Sequence, residues 1–217
     1  MPGPRKLPFR SVPAHDSART RAAILQAAER IFAEVGEAGA RTETIAAAAG
    51  VNKAMLHYYF QSKDGLYRAV LDEHFKQFHR QAMEVLSSRG PAREILLRYV
   101  GMHFDFISAR PYYPRLFIRM AMSGDKGFQR LIRRHLAPLS RKLVALIERG
   151  RREGEFHALD SAHAAISLIG LTVFYFSVVR IVAGANPYRK ASLARRRREV
   201  FKFVRYAMFK NPEETKA

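Results

Sequence analysis

The stretch AAAAGVNKAMLHYYFQSKDGLY, residues 46–67, interrupts a helical pattern twice. Gly50 ends one short helix, expected over 42–49 with Thr42 as its cap and Glu43 in its first turn. Asn52 caps the next, expected over 53–60. Gln61-Ser62-Lys63 then breaks the pattern again, with Ser62 as the following cap. Two short helices joined by a tight glycine-containing turn, here AGVN, form a helix-turn-helix. The small residues Ala46–Ala49 let the second helix sit close to its neighbours, and Val51 and Leu56 supply apolar contacts across the turn. The third helix carries Leu56-His57-Tyr58-Tyr59-Phe60, more large side chains in a row than one buried face can use. Leu56 and Phe60, four apart, share a face and belong to the core. His57, Tyr58 and Tyr59 are then left to face something else.

The rest of the chain reads as helix after helix. Ile24, Ala27, Ile31, Phe32 and Val35 recur at helical spacing, with Asp16 or Ser17 as a cap and Gly36 and Gly39 as the end. Leu66, Val70, His74, Phe78, Val85 and Leu86 share a broad face of a long helix over 63–87. Further helices are expected over 92–109, 113–122, 126–153, 160–184 and 192–210. There is no sustained alternation and no Asn-Gly hairpin turn. The expectation is an all-α fold of about nine helices. A flexible basic arm over 1–16 precedes an N-terminal three-helix domain over 17–64, whose motif spans about 41–60, and a helical C-terminal domain over 65–217 follows. The 217 residues are enough to bury a core without staples.

The formal charge of +19 points to a polyanionic partner. Its distribution tempers that inference. Residues 1–65 hold only 9 of the 38 Lys and Arg against 6 of the 19 Asp and Glu, so +16 of the +19 lies beyond the helix-turn-helix. A non-specific architectural DNA binder is therefore a competing reading, and a small helical enzyme is a weaker one. Against the enzyme, the sequence has no His-Glu-x-x-His, no glycine-rich phosphate loop and no nucleophile elbow. His74 and His79 stand five apart, which does not place them on one helix face, and Asp160 with His163 is a lone pair. The absence of cysteine excludes disulfides and thiolate metal sites. No cofactor and no metal is expected. The opening MPGPRKLPFRSVPAHDS lacks the apolar run of a secretory signal, which fits a cytoplasmic protein.

Residues 20–71, TRAAILQAAERIFAEVGEAGARTETIAAAAGVNKAMLHYYFQSKDGLYRAVL, resemble the N-terminal domain of the TetR family of bacterial transcriptional regulators. The specific features are AAERIF in the first helix, a threonine opening the second, and AGVNK running into L-x-x-x-F-x-S-K-x-x-L. The resemblance implies a double-stranded DNA operator as partner, read by the third helix from its N-terminal part. Lys53, on the first turn after Asn52, is placed to reach guanine O6 and N7. Ala54 lets the helix approach the bases, and its methyl meets thymine. Thr42 suits a phosphate at a helix N-terminus, and Lys63 neutralises another. His57, Tyr58 and Tyr59 fall where similar proteins touch the DNA backbone and thymine. Two positions depart from the family pattern. Met55 replaces a small polar residue, which should alter base preference. Gly65 replaces a glutamate, which removes a Ser-x-x-Glu capping box and predicts a looser start to the fourth helix.

In the C-terminal region, residues 162–185 form an apolar run long enough to span a bilayer. Arg180, His163, Ser167, Thr172 and Ser177 interrupt it, so a buried helix is expected instead of a membrane span. A helix apolar on all sides is explained by its own domain on one side and a twin subunit on the other. The last helix, with Val200, Phe201, Phe203, Val204 and Met208, would pack beside it to give a four-helix homodimer interface, as the resemblance also implies. The middle helices would enclose a small-molecule effector site with candidate lining residues Met83, Tyr99, His103, Phe104, Ile107, Phe117, Met120, Phe174 and Tyr175. Such a wall suits a hydrophobic ligand. The positive charge of this region adds the expectation of an anionic group met by Arg98, Arg115 or Arg119. The whole then works as a ligand-responsive regulator, a dimeric repressor released from a near-palindromic operator by an inducer that prefers a different spacing of the reading helices.

Overall fold

The structure, a computed structural model, describes residues 14–184 and 186–214. The arm expected over 1–16 lies outside these residues up to position 13, and from Ala14 onward the chain is helical. The chain divides into two compact units that meet between Val70 and Leu71.

The first unit contains α1 (Ala14–Gly39), α2 (Thr42–Ala48), α3 (Lys53–Phe60) and the start of α4 (Lys63–Leu86). Helix α1 is interrupted at Gly36, whose φ of 77° and ψ of 175° are non-helical. Ser17 lies inside α1 and is not its cap; its hydroxyl is 2.9 Å from that of Tyr59. Thr42 is likewise not a cap. It is the first residue of α2, Arg41 stands at the cap position, and no side chain caps there. Asn52 does cap α3, with Oδ1 accepting from the Met55 amide at 3.0 Å. Ile24, Ala28, Phe32, Ile45, Leu56, Phe60 and Leu66 are buried together with Tyr67, whose ring lies 4.7 Å from that of Phe32.

The turn from α3 into α4 is tighter than expected. Gln61 adopts φ 64° and ψ −41°, and the Ser62 amide donates to the Phe60 carbonyl at 2.7 Å, a γ-turn that strains its central residue. The Ser62 hydroxyl then accepts from the Gly65 amide at 2.9 Å. A Cβ on residue 65 would stand 2.3 Å from the Phe60 carbonyl oxygen. Glycine is therefore what permits this approach. The loose helix start expected from Gly65 is corrected accordingly: a capping box was traded for a close backbone contact, and Ser62 still caps.

The second unit is built around α5 (Ala92–Ser108), which is buried on most of its circumference and packs against α8 (Ala137–Arg152), α9 (Ser161–Ala183) and α10 (Lys190–Met208). Helix α6 (Tyr113–Met122) packs on α9. Helix α7 (Lys126–Leu131) passes through a π turn (Ile132–Leu136) directly into α8, so, with α1 counted across its kink and the 3-10 turn at Pro212–Glu214 set aside, the described residues hold nine helical runs. The π turn has a local cause. Pro138 has no amide to offer the Arg134 carbonyl, and its ring crowds that carbonyl. The turn is held by His135, whose Nε2–H donates to Asp72 Oδ1 at 2.8 Å and whose carbonyl accepts from His79 Nδ1 at 2.7 Å.

No strand occurs among the described residues, only one bridge, Phe156 to Phe209, with their rings stacked at 5.3 Å. Beside it, the Glu155 carboxylate caps α5, accepting from the amides of Ala92 (3.0 Å) and Arg93 (2.9 Å) and from Arg93 Nε (3.3 Å). Burial alone would raise the Glu155 pKa, but these amides and the guanidinium outweigh it and hold the carboxyl below the ordinary glutamate range.

Candidate nucleic-acid interface and internal cavity

Helix α3 buries Leu56 and Phe60 and turns the rest of its surface outward. Asn52, Lys53, Ala54, His57 and Tyr58 are exposed, and Met55 and Tyr59 are half-buried. Residues 53, 54, 57 and 58 share one helix face. Tyr58, 75% exposed, stands edge-on to Tyr59 with ring centroids 5.1 Å apart. Tyr59 differs from its neighbour: its hydroxyl is engaged with Ser17 of α1, so it braces the helix from behind. The Nδ1–H of His57 donates to the Gln61 carbonyl at 3.1 Å, because a carbonyl only accepts. Its Nε2 is thereby left as an acceptor on the exposed side.

The two cations expected at DNA are both engaged. Lys63 Nζ donates to the Ala40 carbonyl at 3.3 Å and is half-buried. Lys53 Nζ lies 2.5 Å from Glu43 Oε1, and the Thr42 hydroxyl donates to Glu43 Oε2 at 3.3 Å. The Lys53 hydrogen bond is the main cause holding the Glu43 carboxyl down at about 2. Sequence reasoning gave Glu43 only a helix-dipole role. In the structure its carboxylate sits between two side chains assigned to DNA. Spacing gave no signal for this, because Glu43 and Lys53 are ten residues apart across a turn.

Inside the second unit is a cavity of about 50 Å³. Of the residues expected to line an effector site, Tyr99, His103, Ile107 and Phe117 do so. The others do not. Phe104 is buried against Phe176, with ring centroids 5.5 Å apart. Met83 and Met120 are outside the lining. Tyr175 lies beneath the Arg196 guanidinium, 4.4 Å from its ring. Phe174 faces outward from α9 and is 62% exposed, because Thr172 and Val173 take the inward side. Phe78, Tyr113, Leu139 and Val173 line the cavity and were not singled out for it. Phe78 was legible as part of the broad face of α4, whereas the α8 residues depended on how distant helices pack. Among the described residues, no Lys, Arg, Asp or Glu lines the cavity. Arg98, Arg115 and Arg119 are all exposed, so the expected meeting of a guanidinium with an anionic ligand is corrected for this cavity. Burial holds His103 down to about 4 and pushes the Tyr99 and Tyr113 hydroxyls above their ordinary range.

Helices α9 and α10 also carry exposed apolar residues. Ile166, Phe174, Ile181 and Val182 project from α9, and Phe203 and Tyr206 from α10. Helix α9 is long and apolar enough to cross a membrane, but it packs against α5, α6 and α8 within the protein.

A short helix seated by Leu56 and Phe60, presenting Lys53, Ala54, His57 and Tyr58 beyond a glycine turn, defines a helix-turn-helix DNA-binding protein. Residues 24–70 match the family described as bacterial regulatory proteins, tetR family. The chain is 30% identical over 174 residues to the HTH-type transcriptional regulator RutR of Escherichia coli, covering 76% of this chain and 78% of that one. It is 28% identical over 171 residues to the HTH-type transcriptional repressor NicS of Pseudomonas putida, covering 76% and 80%. Its fold matches the structure of the ketosteroid transcriptional regulator KstR2 of Mycobacterium tuberculosis with a TM-score of 0.74 at 17% identity, covering 92% and 97%. The chain belongs to the TetR family of bacterial transcriptional regulators, and as such is a DNA-binding regulator and not an enzyme.

Proposed function

We propose that this protein is a cytoplasmic repressor that binds a near-palindromic operator as a homodimer and leaves it when a small molecule binds. Residues 17–64 read the DNA, and 65–217 sense and pair. The observation that carries the reading is the exposed face of α3, where side chains able to meet bases and phosphates surround a buried Leu56 and Phe60. Lys53, Ala54 and Met55 meet bases in the major groove; Thr42, His57, Tyr58 and Lys63 meet the backbone; Asn52 and Tyr59 fix the helix that presents them. The exposed apolar residues of α9 and α10 support pairing, since patches of this kind on a soluble regulator mark a protein interface. The cavity supports sensing. Helix α4 is continuous through both units and is the route by which a ligand in the second alters the first. The name of NicS supports repression.

The test is selection of bound duplexes from random DNA at a stated salt concentration. The expected product is a near-palindrome with half-sites about one turn, 34–36 Å, apart. Enrichment of no sequence would return the protein to the architectural class suggested by its charge.

A further inference from the structure

One hydrogen-bonding arrangement at the cavity says more about its ligand than its size does. The Thr172 hydroxyl is 3.0 Å from the Ile169 carbonyl oxygen and 3.0 Å from Nδ1 of His103. A hydroxyl has one proton to give, and a carbonyl only accepts. Both contacts are hydrogen bonds only if Thr172 donates to Ile169 and His103 donates from Nδ1. That fixes the tautomer: Nε2 of His103 keeps its lone pair. His103 is 4% exposed and lines the cavity, and among the described residues Nε2 has no hydrogen-bond partner. A neutral imidazole is also what its burial favours, with the pKa near 4.

The surroundings are aromatic and uncharged. The ring of His103 lies 5.1 Å from that of Phe78 and 5.9 Å from that of Tyr99. Tyr99 and Tyr113 line the same space with phenols that stay protonated. An anion placed here would be desolvated and set against a lone pair, with no cation to offset the cost. A protonated amine would find ring faces but no carboxylate.

Resting on the ligand-responsive reading above, we propose that the effector is a small neutral aromatic compound with an N–H or O–H donor, which it gives to Nε2 of His103 while its acceptors face the Tyr99 and Tyr113 hydroxyls. The space of about 50 Å³ holds no more than a water or two as it stands, well under the roughly 300–1,000 Å³ of usual ligand sites. A single ring therefore enters as the half-buried Phe117 and Leu136 at its border move aside.

The experiment uses the full chain with phenol, anisole and benzoate as probes, each followed by calorimetry and by release of the selected duplex. Phenol is expected to bind about tenfold or more tightly than anisole, which lacks the donor, and benzoate is expected not to bind. His103→Phe should abolish the preference for phenol while keeping anisole binding, which shows that the cavity still folds. Nitrogen-15 NMR of the free protein should show His103 protonated at Nδ1 and bare at Nε2. Equal binding of phenol and anisole, a preference for benzoate, failure of phenol to bind, or the opposite tautomer each overturns the proposal. Two outcomes separate it from the reading beneath it. If phenol binds as expected but the duplex stays bound, the site stands and the ligand-responsive reading falls. If benzoate alone releases the duplex, that reading stands and this proposal falls.

Discussion

The two compact units of this protein are held together in different ways. In the first, the polar contacts that set helix ends join near neighbours: Asn52 to Met55 and Ser62 to Gly65, each three residues apart. In the second, Asp125 and Asp160 cap their own helices just as locally, but the start of α5 is capped from far along the chain by Glu155, and side-chain pairs of long separation, His135 with Asp72 and Thr172 with His103, tie the helices together. The surfaces differ as well. Helix α3 exposes cationic, hydrogen-bonding and aromatic groups, whereas α9 exposes Ile166, Phe174, Ile181 and Val182. A reading head needs a rigid local scaffold and a polar face. The sensing and pairing proposed for the second unit would draw on contacts that span the chain and on an apolar face. Each unit is therefore vulnerable to a different kind of change.

The largest effect is expected at the seat of α3. Leu56 is 4% exposed, and Leu56→Ala should destabilise the first unit by about 2–5 kcal/mol. Hydrogen exchange should show protection lost over α1–α3 and retained over α5–α9, and operator binding should vanish. Loss of protection throughout α5 would show that the two units fold as one, and the contrast between them would break.

Next in size is the apolar face of α9. Phe174→Arg places a charge on a side chain already 62% exposed, so the melting of the single chain should hardly change. The dimer should weaken by about 2–4 kcal/mol, read by sedimentation at micromolar concentration. A dimer of undiminished affinity would remove α9 from the pairing surface.

On α3 the exposed residues should act on DNA and leave stability alone. Lys53→Ala should cost about 1–3 kcal/mol at one base position and relax discrimination there. Glu43→Gln sharpens this. With the ion pair of Lys53 removed, binding to random DNA should strengthen more than binding to the operator, and the salt dependence should steepen by about one unit. Parallel changes on both DNAs would mean that Glu43 has no part in selectivity.

The same contrast explains what the sequence made legible. Helix limits in the first unit follow from Gly50, Asn52 and Ser62, residues whose effect reaches only a turn away, and α3 begins and ends where they place it. Lys53, Ala54, His57 and Tyr58 are exposed as expected because Leu56 and Phe60 fix the buried side. The ion pair with Glu43 and the close approach at Gly65 were not legible, since both depend on the folded angle of a turn. In the second unit the helices were legible but their rotation was not. Phe174 was assigned inward and points outward, because a helix apolar on every side gives no cue to which side meets its own domain. Tyr113 and Leu139 reach the cavity through packing between helices far apart in the chain.

The smallest effect is a pH dependence that tests the long-range contacts directly. Of the carboxylates with depressed pKa values, Glu43 and Glu155 differ most in their surroundings. Glu43 is held at about 2 by Lys53, but both side chains are more than half exposed, so solvent screens the pair and it adds little to stability. Glu155 is 16% exposed and holds two α5 amides that no other side chain caps. A depressed carboxyl pKa stabilises the folded state at pH above the unfolded value, and that contribution is lost as pH falls through the folded value. Glu155→Gln should therefore cost about 0.5–2 kcal/mol at neutral pH, with the gap to the parent protein closing as the solution is acidified below the ordinary glutamate range. Asp72, depressed by Lys76 and His135 against the effect of its burial, acts in the same direction and the same unit. Acid should accordingly loosen α5 before α3, as followed by hydrogen exchange from pH 6 downward. A gap between variant and parent that stays constant with pH would mean that Glu155 acts through shape and not through its charge.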